Sequence, residues 1–507
     1  MKHTHLKKAV MLLPVAGLIL TSTLESNAQA GYSSASFSMG KMRSQSYSPA
    51  QSSHASVQSS RNAPKNYNMP SPKEILVEEY VNYHRHKIQL PEGKENIGFE
   101  MRLGNKEIAT TNGETILQIG IATNRLKSLN EAPPVNVSLV IDKSGSMQQD
   151  NRLVKAKEAA REFVNRLRPE DHVSIVVFDN GVHVLLPSQI VGNKSAVLGA
   201  INKISIGGST NLNLGMITGY KEVVKNYNSK QSNKVVMLTD AITNTGVVDP
   251  HQMIKNTVGY REDYKIDITM IGVGVDFNAD LSRQLTKSSR SSIHFVHDAA
   301  DIKKIFVDEV EAMLSPIANE VKLEIEHSPS LKLEQLYGYE PTTKNNKIEL
   351  DIDNINSGLT QVILAKFKNE GKAKELPIRA KLTYFDIRQN KTVELKEEIF
   401  VTKIKEDFRN PTLLKDEEVK KNFIIAEIAQ TLKNMADLYS KGKSGEADEL
   451  VNKTVKYVDE VFAKKDEDVK RVYDILTKYD KTLNQILAQQ NNTKTTTITT
   501  TTTTVVR

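Results

Sequence analysis

Between residues 134 and 315 this chain alternates near-continuous apolar, β-branched runs with amphipathic stretches, and that alternation admits very few folds. The apolar runs fall at 135–141, 173–178, 182–186, 234–238, 266–275 and 293–296. Between them, 152–167, 194–204, 212–227, 280–288 and 300–313 read as helices. In the first of these, Leu153, Ala156, Ala160, Phe163, Val164 and Leu167 share one face. Asp249-Pro250 reads as an N-cap followed by a proline in the first turn of a further helix. A strand that is apolar along its whole length is buried on both faces, so helices must cover both sides of a mostly parallel sheet. The expected fold class is therefore α/β, with a doubly wound, Rossmann-like sheet.

In such a sheet, ligands bind beyond the carboxyl ends of the strands, at a topological switch point. Asp142-Lys143-Ser144-Gly145-Ser146-Met147 follows the first apolar run directly. It places one carboxylate and two hydroxyls on a single loop, and oxygens of this kind suit a hard cation such as Mg²⁺. Gly207-Gly208-Ser209-Thr210-Asn211 lies between two helical stretches, and Thr239-Asp240 closes the run 234–238.

Together these loops resemble the von Willebrand factor type A (vWA) domain and its metal-ion-dependent adhesion site, over roughly 134–315. That family uses Asp-x-Ser-x-Ser, a Thr on a second loop and an Asp on a third. The resemblance thus assigns Asp142, Ser144, Ser146, Thr210 and Asp240 to the metal, with Mg²⁺ as the ion and Mn²⁺ or Ca²⁺ as alternatives. It implies that Ser144, Ser146 and often Thr210 touch the ion directly, while the Asp residues frequently act through water. Ala241 stands where the family usually has Gly, a departure that removes no ligand. The stretch Glu74-Ile75-Leu76-Val77-Glu78-Glu79-Tyr80-Val81-Asn82-Tyr83, with Pro133-Pro134-Val135-Asn136-Val137, is similar to secreted bacterial vWA proteins labelled calcium-activated chloride channel homologues.

The rest of the chain divides by composition. Lys2, Lys7 and Lys8, the apolar stretch 9–20 and Ala28-Gln29-Ala30 make 1–30 a Sec-type signal peptide, so the expected location is periplasmic, extracellular or cell-surface. Residues 31–70 form a Ser-rich linker too poor in aliphatic residues to fold. Within 71–133 we expect a short helix at 73–83 and strands at 99–103 and 115–122. Region 316–405 is all-β, with strands at 321–326, 331–333, 348–352, 362–367, 378–384 and 393–401. Pairing of these with 99–122 would give one flanking β-sandwich, interrupted by the 134–315 domain. Region 406–490 is helical, opening at Asp416 and broken at Lys441-Gly442-Lys443-Ser444-Gly445. The Thr-rich tail 491–507 is expected to lack structure.

Several function classes fall away. The 507 residues carry 68 basic and 61 acidic side chains, an excess of +7 that gives no nucleic-acid signature at this length. With no cysteine, the chain can form no disulfide, thiolate metal site, Cys nucleophile or acylated anchor. No later segment is long and apolar enough to span a bilayer. His-Glu-x-x-His, P-loop and Gly-x-Ser-x-Gly motifs do not occur, and Asp142-Lys143-Ser144 lacks the second carboxylate of Asp-x-Asp phosphotransferases. His84-Arg85-His86, read as helical, would not face together and is expected on the surface. His294 and His297 flank a short strand, and Gly272-Val273-Gly274 reads as close packing.

The resulting expectation is a non-enzymatic, exported, metal-dependent protein-binding module that captures an Asp or Glu carboxylate of a protein partner. Asn180-Gly181, Ser209 and Asn244-Thr245 are candidate rim positions. The alternatives are a metal-dependent envelope hydrolase and a scaffold with a purely structural metal site.

Overall fold

The computed structural model describes residues 69, 72 and 75–504, except 93–94, 111–112, 126–132, 230, 241–243, 274–280, 283–284, 286–291, 297–314, 353–354, 405–413 and 463–465. The expected signal peptide, the linker up to 68, the helix 300–313, most of the helix 280–288, Ala241 and His297 lie outside the described residues.

A short helix, α1 (Val77–Asn82), leads into β1 (Ile97–Leu103), β2 (Glu107–Ala109) and β3 (Glu114–Thr123). The next unit comprises β4 (Val135–Asp142), α2 (Arg152–Arg166), β5 (His172–Phe178), β6 (Val182–Ile190), α3 (Ser195–Asn202) and α4 (Leu212–Lys225), then β7 (Ser232–Thr239), α5 (Pro250–Tyr264), β8 (Asp267–Val273) and β9 (Ser292–Val296). The chain returns through β10 (Pro316–His327), β11 (Leu331–Leu336), β12 (Thr342–Lys344), β13 (Lys347–Ile352), β14 (Ile355–Asn356), β15 (Thr360–Asn369), β16 (Glu375–Asp386) and β17 (Lys391–Ile404). It ends in three helices, α6 (Glu417–Ser440), α7 (Ser444–Phe462) and α8 (Glu467–Thr504).

The central unit is a six-stranded sheet in the order β6-β5-β4-β7-β8-β9. All neighbours run parallel except β6, which is antiparallel to β5 at one edge. Every residue of β4 is buried, because helices cover both faces. Strand alternation sends Leu139 and Ile141 to one side, against Ala156, Ala160, Phe163 and Val164 of α2. It sends Val140, with Val176 and Phe178 of β5, to the other side, against Leu212, Met216 and Tyr220 of α4. Helix α4 approaches the sheet closely through two glycines. A Cβ on Gly219 would lie 2.5 Å from Val140 Cγ2, and one on Gly215 would lie 2.7 Å from Phe178 Cδ1.

The strands on either side of this unit form a sandwich. One sheet has the order β1-β3-β15-β11 and the other β12-β13-β10-β16-β17-β2, with β14 beside β10. β3 and β15 pair antiparallel, Ile119 opposite Ile363, so the two halves of the sandwich are joined by hydrogen bonds across more than two hundred intervening residues. Leu117, Ile119 and Ile121 face Leu323, Ile325 and Leu382 of the larger sheet. The outer face of the smaller sheet, with Ile116, Val362 and Leu364, is covered by α1 and the C-terminal helices. Asn82 fastens α1 there: its Nδ2 donates to Glu78 O and Val362 O, both at 3.0 Å, and its Oδ1 accepts from Val362 N at 2.7 Å.

Two expectations are corrected. Helix α1 stops at Asn82, and the chain bends at Tyr83 and His84 before running on without regular structure. Off the helix, alternate residues can share a side, so His84 and His86 are both buried, at 2% and 3% exposure, while Arg85 is exposed. The surface reading of these histidines therefore fails. The last helix also continues past 490 into the Thr run, to Thr504. Adding a turn to an existing helix avoids the cost of nucleation, which is why composition alone misplaces its end.

The tight α4 interface gives a direct test. Gly219→Val should lower the unfolding free energy by about 1–3 kcal/mol through overpacking, measured by chemical denaturation.

Candidate metal centre

Strand β4 is where the sheet reverses its winding, since β5 flanks it on one side and β7 on the other. Asp142 is its last residue and is fully buried. The carboxylate holds two neighbouring segments: Oδ1 accepts from Ser144 N at 2.8 Å, and Oδ2 accepts from Thr239 Oγ1 at 2.6 Å. The loop then turns into a 3-10 helix over Gly145–Asn151, pinned by the buried Met147. This turn brings Ser144 Oγ and Ser146 Oγ to 3.1 Å from each other. Ser144 is buried and Ser146 half-buried.

The second loop is bonded to the first through main-chain groups. Gly145 N donates to Gly208 O at 2.7 Å, and Gly207 N to Lys143 O at 2.6 Å. Thr210, 1% exposed, is joined to the third loop: its N donates to Asn244 Oδ1 at 2.8 Å, and its carbonyl accepts from Asn244 N at 3.2 Å and Thr245 N at 3.1 Å. Asp240 follows β7 and is fully buried. The three loops carrying Asp142, Ser144, Ser146, Thr210 and Asp240 therefore converge beyond the same strand ends. Asp142, Ser144 and Ser146 share direct bonds; Thr210 and Asp240 are joined through their loops.

Two further residues build the site and were absent from the sequence reading. Arg152, at the first position of α2, is fully buried, and its Nη1 lies 3.1 Å from Asp240 Oδ2. Asp179, just past β5, pairs with Lys143, accepts from Gly181 N at 3.0 Å and Gly208 N at 3.3 Å, and receives Asn211 N on its carbonyl at 2.7 Å. Asp179 was findable, because it ends the apolar run next to β4 and so sits at the same sheet edge. Of the rim positions, Asn180 and Asn244 are exposed, and Asn244 also holds the Thr210 loop. His294 lies within β9, and its side chain is outside the described residues.

The electrostatics fit a cation. Burial pushes the Asp142 carboxyl up to about 6, against the bonds from Ser144 and Thr239, and the negative charge of Asp240 adds to the rise. A positive ion beside it would relieve that imbalance. At Asp179, burial works upward, but bonds from Lys143, Gly181 and Gly208 hold the carboxyl below its ordinary range. The donor set is hydroxyl and carboxylate oxygen alone, which suits Mg²⁺, Mn²⁺ or Ca²⁺ over softer ions.

Comparison with known proteins agrees with this fold. Residues 137–242 match the family described as von Willebrand factor type A domain. The chain is 27% identical to the uncharacterized protein YfbK of Escherichia coli (strain K12), over 57% of this chain and 51% of that protein. It is 29% identical to inter-alpha-trypsin inhibitor heavy chain H1 of Sus scrofa, over 42% of this chain and 24% of that one. The chain thus spans about half the length of YfbK and less of the heavy chain. Among solved structures, the von Willebrand factor type A protein from Catenulispora acidiphila shares the fold with a TM-score of 0.55 at 14% identity, covering 74% of this chain and 88% of that one.

The buried ion pair makes a clear prediction. Arg152→Leu leaves Asp240 without its guanidinium, and urea unfolding at neutral pH should show a loss of about 3–5 kcal/mol. Arg152→Lys should recover only part of it, because an ammonium lacks the planar fork.

Proposed function

The chain carries a von Willebrand factor type A domain, and we propose that this domain binds a protein partner by capturing one of its Asp or Glu carboxylates through a Mg²⁺-type ion. Domains of this family commonly mediate protein–protein interaction. Carboxylate capture is supported by one observation: the two fully buried carboxylates, Asp142 and Asp240, are already engaged. Asp142 accepts from Ser144 N and Thr239, and Asp240 faces Arg152.

The ion would be held by Ser144, Ser146 and Thr210, with Asp142 and Asp240 behind them. Asp142 and Asp240 together contribute two negative charges and Arg152 one positive; Lys143 and Asp179 cancel. The pocket thus offers a net single negative charge. When bound, a divalent ion supplies a residual positive charge and an open coordination position, which a carboxylate fills. Uncharged hydroxyls in front keep that charge directed outward, and Asn180, Ser209, Asn244 and Thr245 surround it as polar rim. A single ion–carboxylate bond requires a surrounding interface for specificity.

The basic and apolar pattern of residues 1–30 supports an encounter in the envelope or outside the cell, and among the described residues no helix is long and apolar enough to cross a membrane. The proposed role is that of an interaction module, with a metal-dependent hydrolase as the alternative that turnover lost in Asp142→Ala would favour.

The test is retention of envelope proteins on the immobilised chain, in Mg²⁺ against EDTA. Asp142→Ala and Thr210→Ala should each reduce retention at least tenfold while circular dichroism stays unchanged, since Thr210 lies on a loop and Asp142 is the last residue of β4, whose packing against the helices is carried by its apolar residues. Retention indifferent to chelator and to both substitutions would refute carboxylate capture.

A further inference from the structure

We propose that His84, His86 and Glu418 form a second metal site, of the zinc type, that fastens the chain after α1 to the C-terminal helices. It is independent of the adhesion-type loops and lies in a different layer of the molecule. One ligand atom from each of the three residues falls within 4.8 Å of the others. In a tetrahedral Zn²⁺ site, donors about 2.1 Å from the ion stand about 3.4 Å apart, so assembly requires side-chain movement that closes the separations by up to about 1.4 Å.

The polar bookkeeping around these rings is incomplete without an ion. Among the described residues, no well-formed hydrogen bond reaches either ring nitrogen of His84 or Nδ1 of His86, although all three atoms are buried. Buried polar nitrogens are normally satisfied. The tautomer of His86 is set by its surroundings. Asn82 donates from Nδ2 to Glu78 O and Val362 O and accepts Val362 N on Oδ1, so Oδ1 is the atom 3.0 Å from His86 Nε2. Nε2 therefore carries the proton and donates, and Nδ1 presents a lone pair. A ligating histidine held by an outer carbonyl in this way is the ordinary support of a metal site. Asn422 stands beside both rings as a hydrogen-bonding neighbour of each, and an ion would take the ring lone pairs in its stead.

Charge points the same way. Glu418, with its side chain 10% exposed, and Asp468 both face Lys421, at 3.1 Å and 3.8 Å. Two carboxylates against one ammonium leave one negative charge. Asp468 Oδ2 lies 4.0 Å from His84 Nε2, near enough to serve as a fourth donor. Lys421 is the competing cation; its flexible stem allows it to withdraw toward Asp468 or solvent. Two imidazoles with carboxylates select Zn²⁺ over Mg²⁺, which prefers oxygen alone. The ligands come from 84–86, from the first turn of α6 and from the first turn of α8, so the ion would tie three distant segments together.

The experiment titrates the full chain with Zn²⁺ by calorimetry, with Mg²⁺ in large excess to occupy the loop site, and follows thermal unfolding in parallel. One equivalent of Zn²⁺ should bind and raise Tm. His84→Gln and His86→Gln should each weaken binding at least tenfold and abolish the Tm rise, and Co²⁺ should give a visible spectrum that both substitutions remove. If those variants fail to fold, Glu418→Gln, at the edge of the site, provides the same comparison. Lys421→Met should bind Zn²⁺ more tightly than the parent. The proposal is overturned if Zn²⁺ binding does not saturate, or if it is unchanged by the histidine substitutions. It is equally overturned if Lys421→Met loses stability that Zn²⁺ does not restore, because Lys421 would then be the site's resident cation.

Discussion

The structure turns on a buried carboxylate at the end of its central strand. Asp142 has no solvent exposure, yet it ends a strand whose other members are largely apolar, and its two oxygens take a backbone N–H from its own loop and a hydroxyl from the end of β7. Those two bonds fix the first and third loops relative to each other. The second loop follows through the main-chain bonds of Gly145 and Gly207. A buried carboxylate costs free energy unless its charge is answered. Arg152 answers Asp240 directly; among the described residues Asp142 has only neutral donors, and that asymmetry is what underlies the proposed cation site.

The packing beneath keeps this arrangement rigid. β4 is sandwiched between α2 and α4, so its end cannot shift without disturbing two cores at once. The glycines of α4 allow that helix to lie close to the sheet, and Asn211, at its N-cap, accepts from Leu214 N at 3.1 Å and so ties the start of the helix to the Thr210 loop. The flanking sandwich emerges from the opposite side of the sequence logic: its sheets close only when strands before and after the central unit pair, as β3 does with β15. The C-terminal helices then cover the face of the smaller sheet that the sandwich core leaves open.

Much of this was legible in the sequence where a local rule had no competitor. Doubly buried strands announce themselves as apolar runs, so the parallel core and the loops beyond its strand ends could be placed. Asp249 and Asp416 read as helix starts and do accept from Gln252 N and from Glu418 N and Val419 N. What could not be read depends on partners far away in the chain. β2 is three residues long and exists because it pairs with β17. Arg152 at a helix start looks like a solvated charge, and only the approach of Asp240, 88 positions later, explains its burial. The end of α1 carries no capping signal, since Asn82 is spent on β15, so the shared side of His84 and His86 was hidden from periodicity.

The decisive property of the molecule is whether its three loops hold a single hard cation. Titration of the full chain with Mn²⁺, read by electron paramagnetic resonance and competed with Mg²⁺, measures this without reference to any partner. One Mn²⁺ per chain is expected, displaced by Mg²⁺ and lost when Ser144 and Ser146 are both replaced by Ala. Absence of saturable binding, or binding that survives the loss of both hydroxyls, would contradict that expectation.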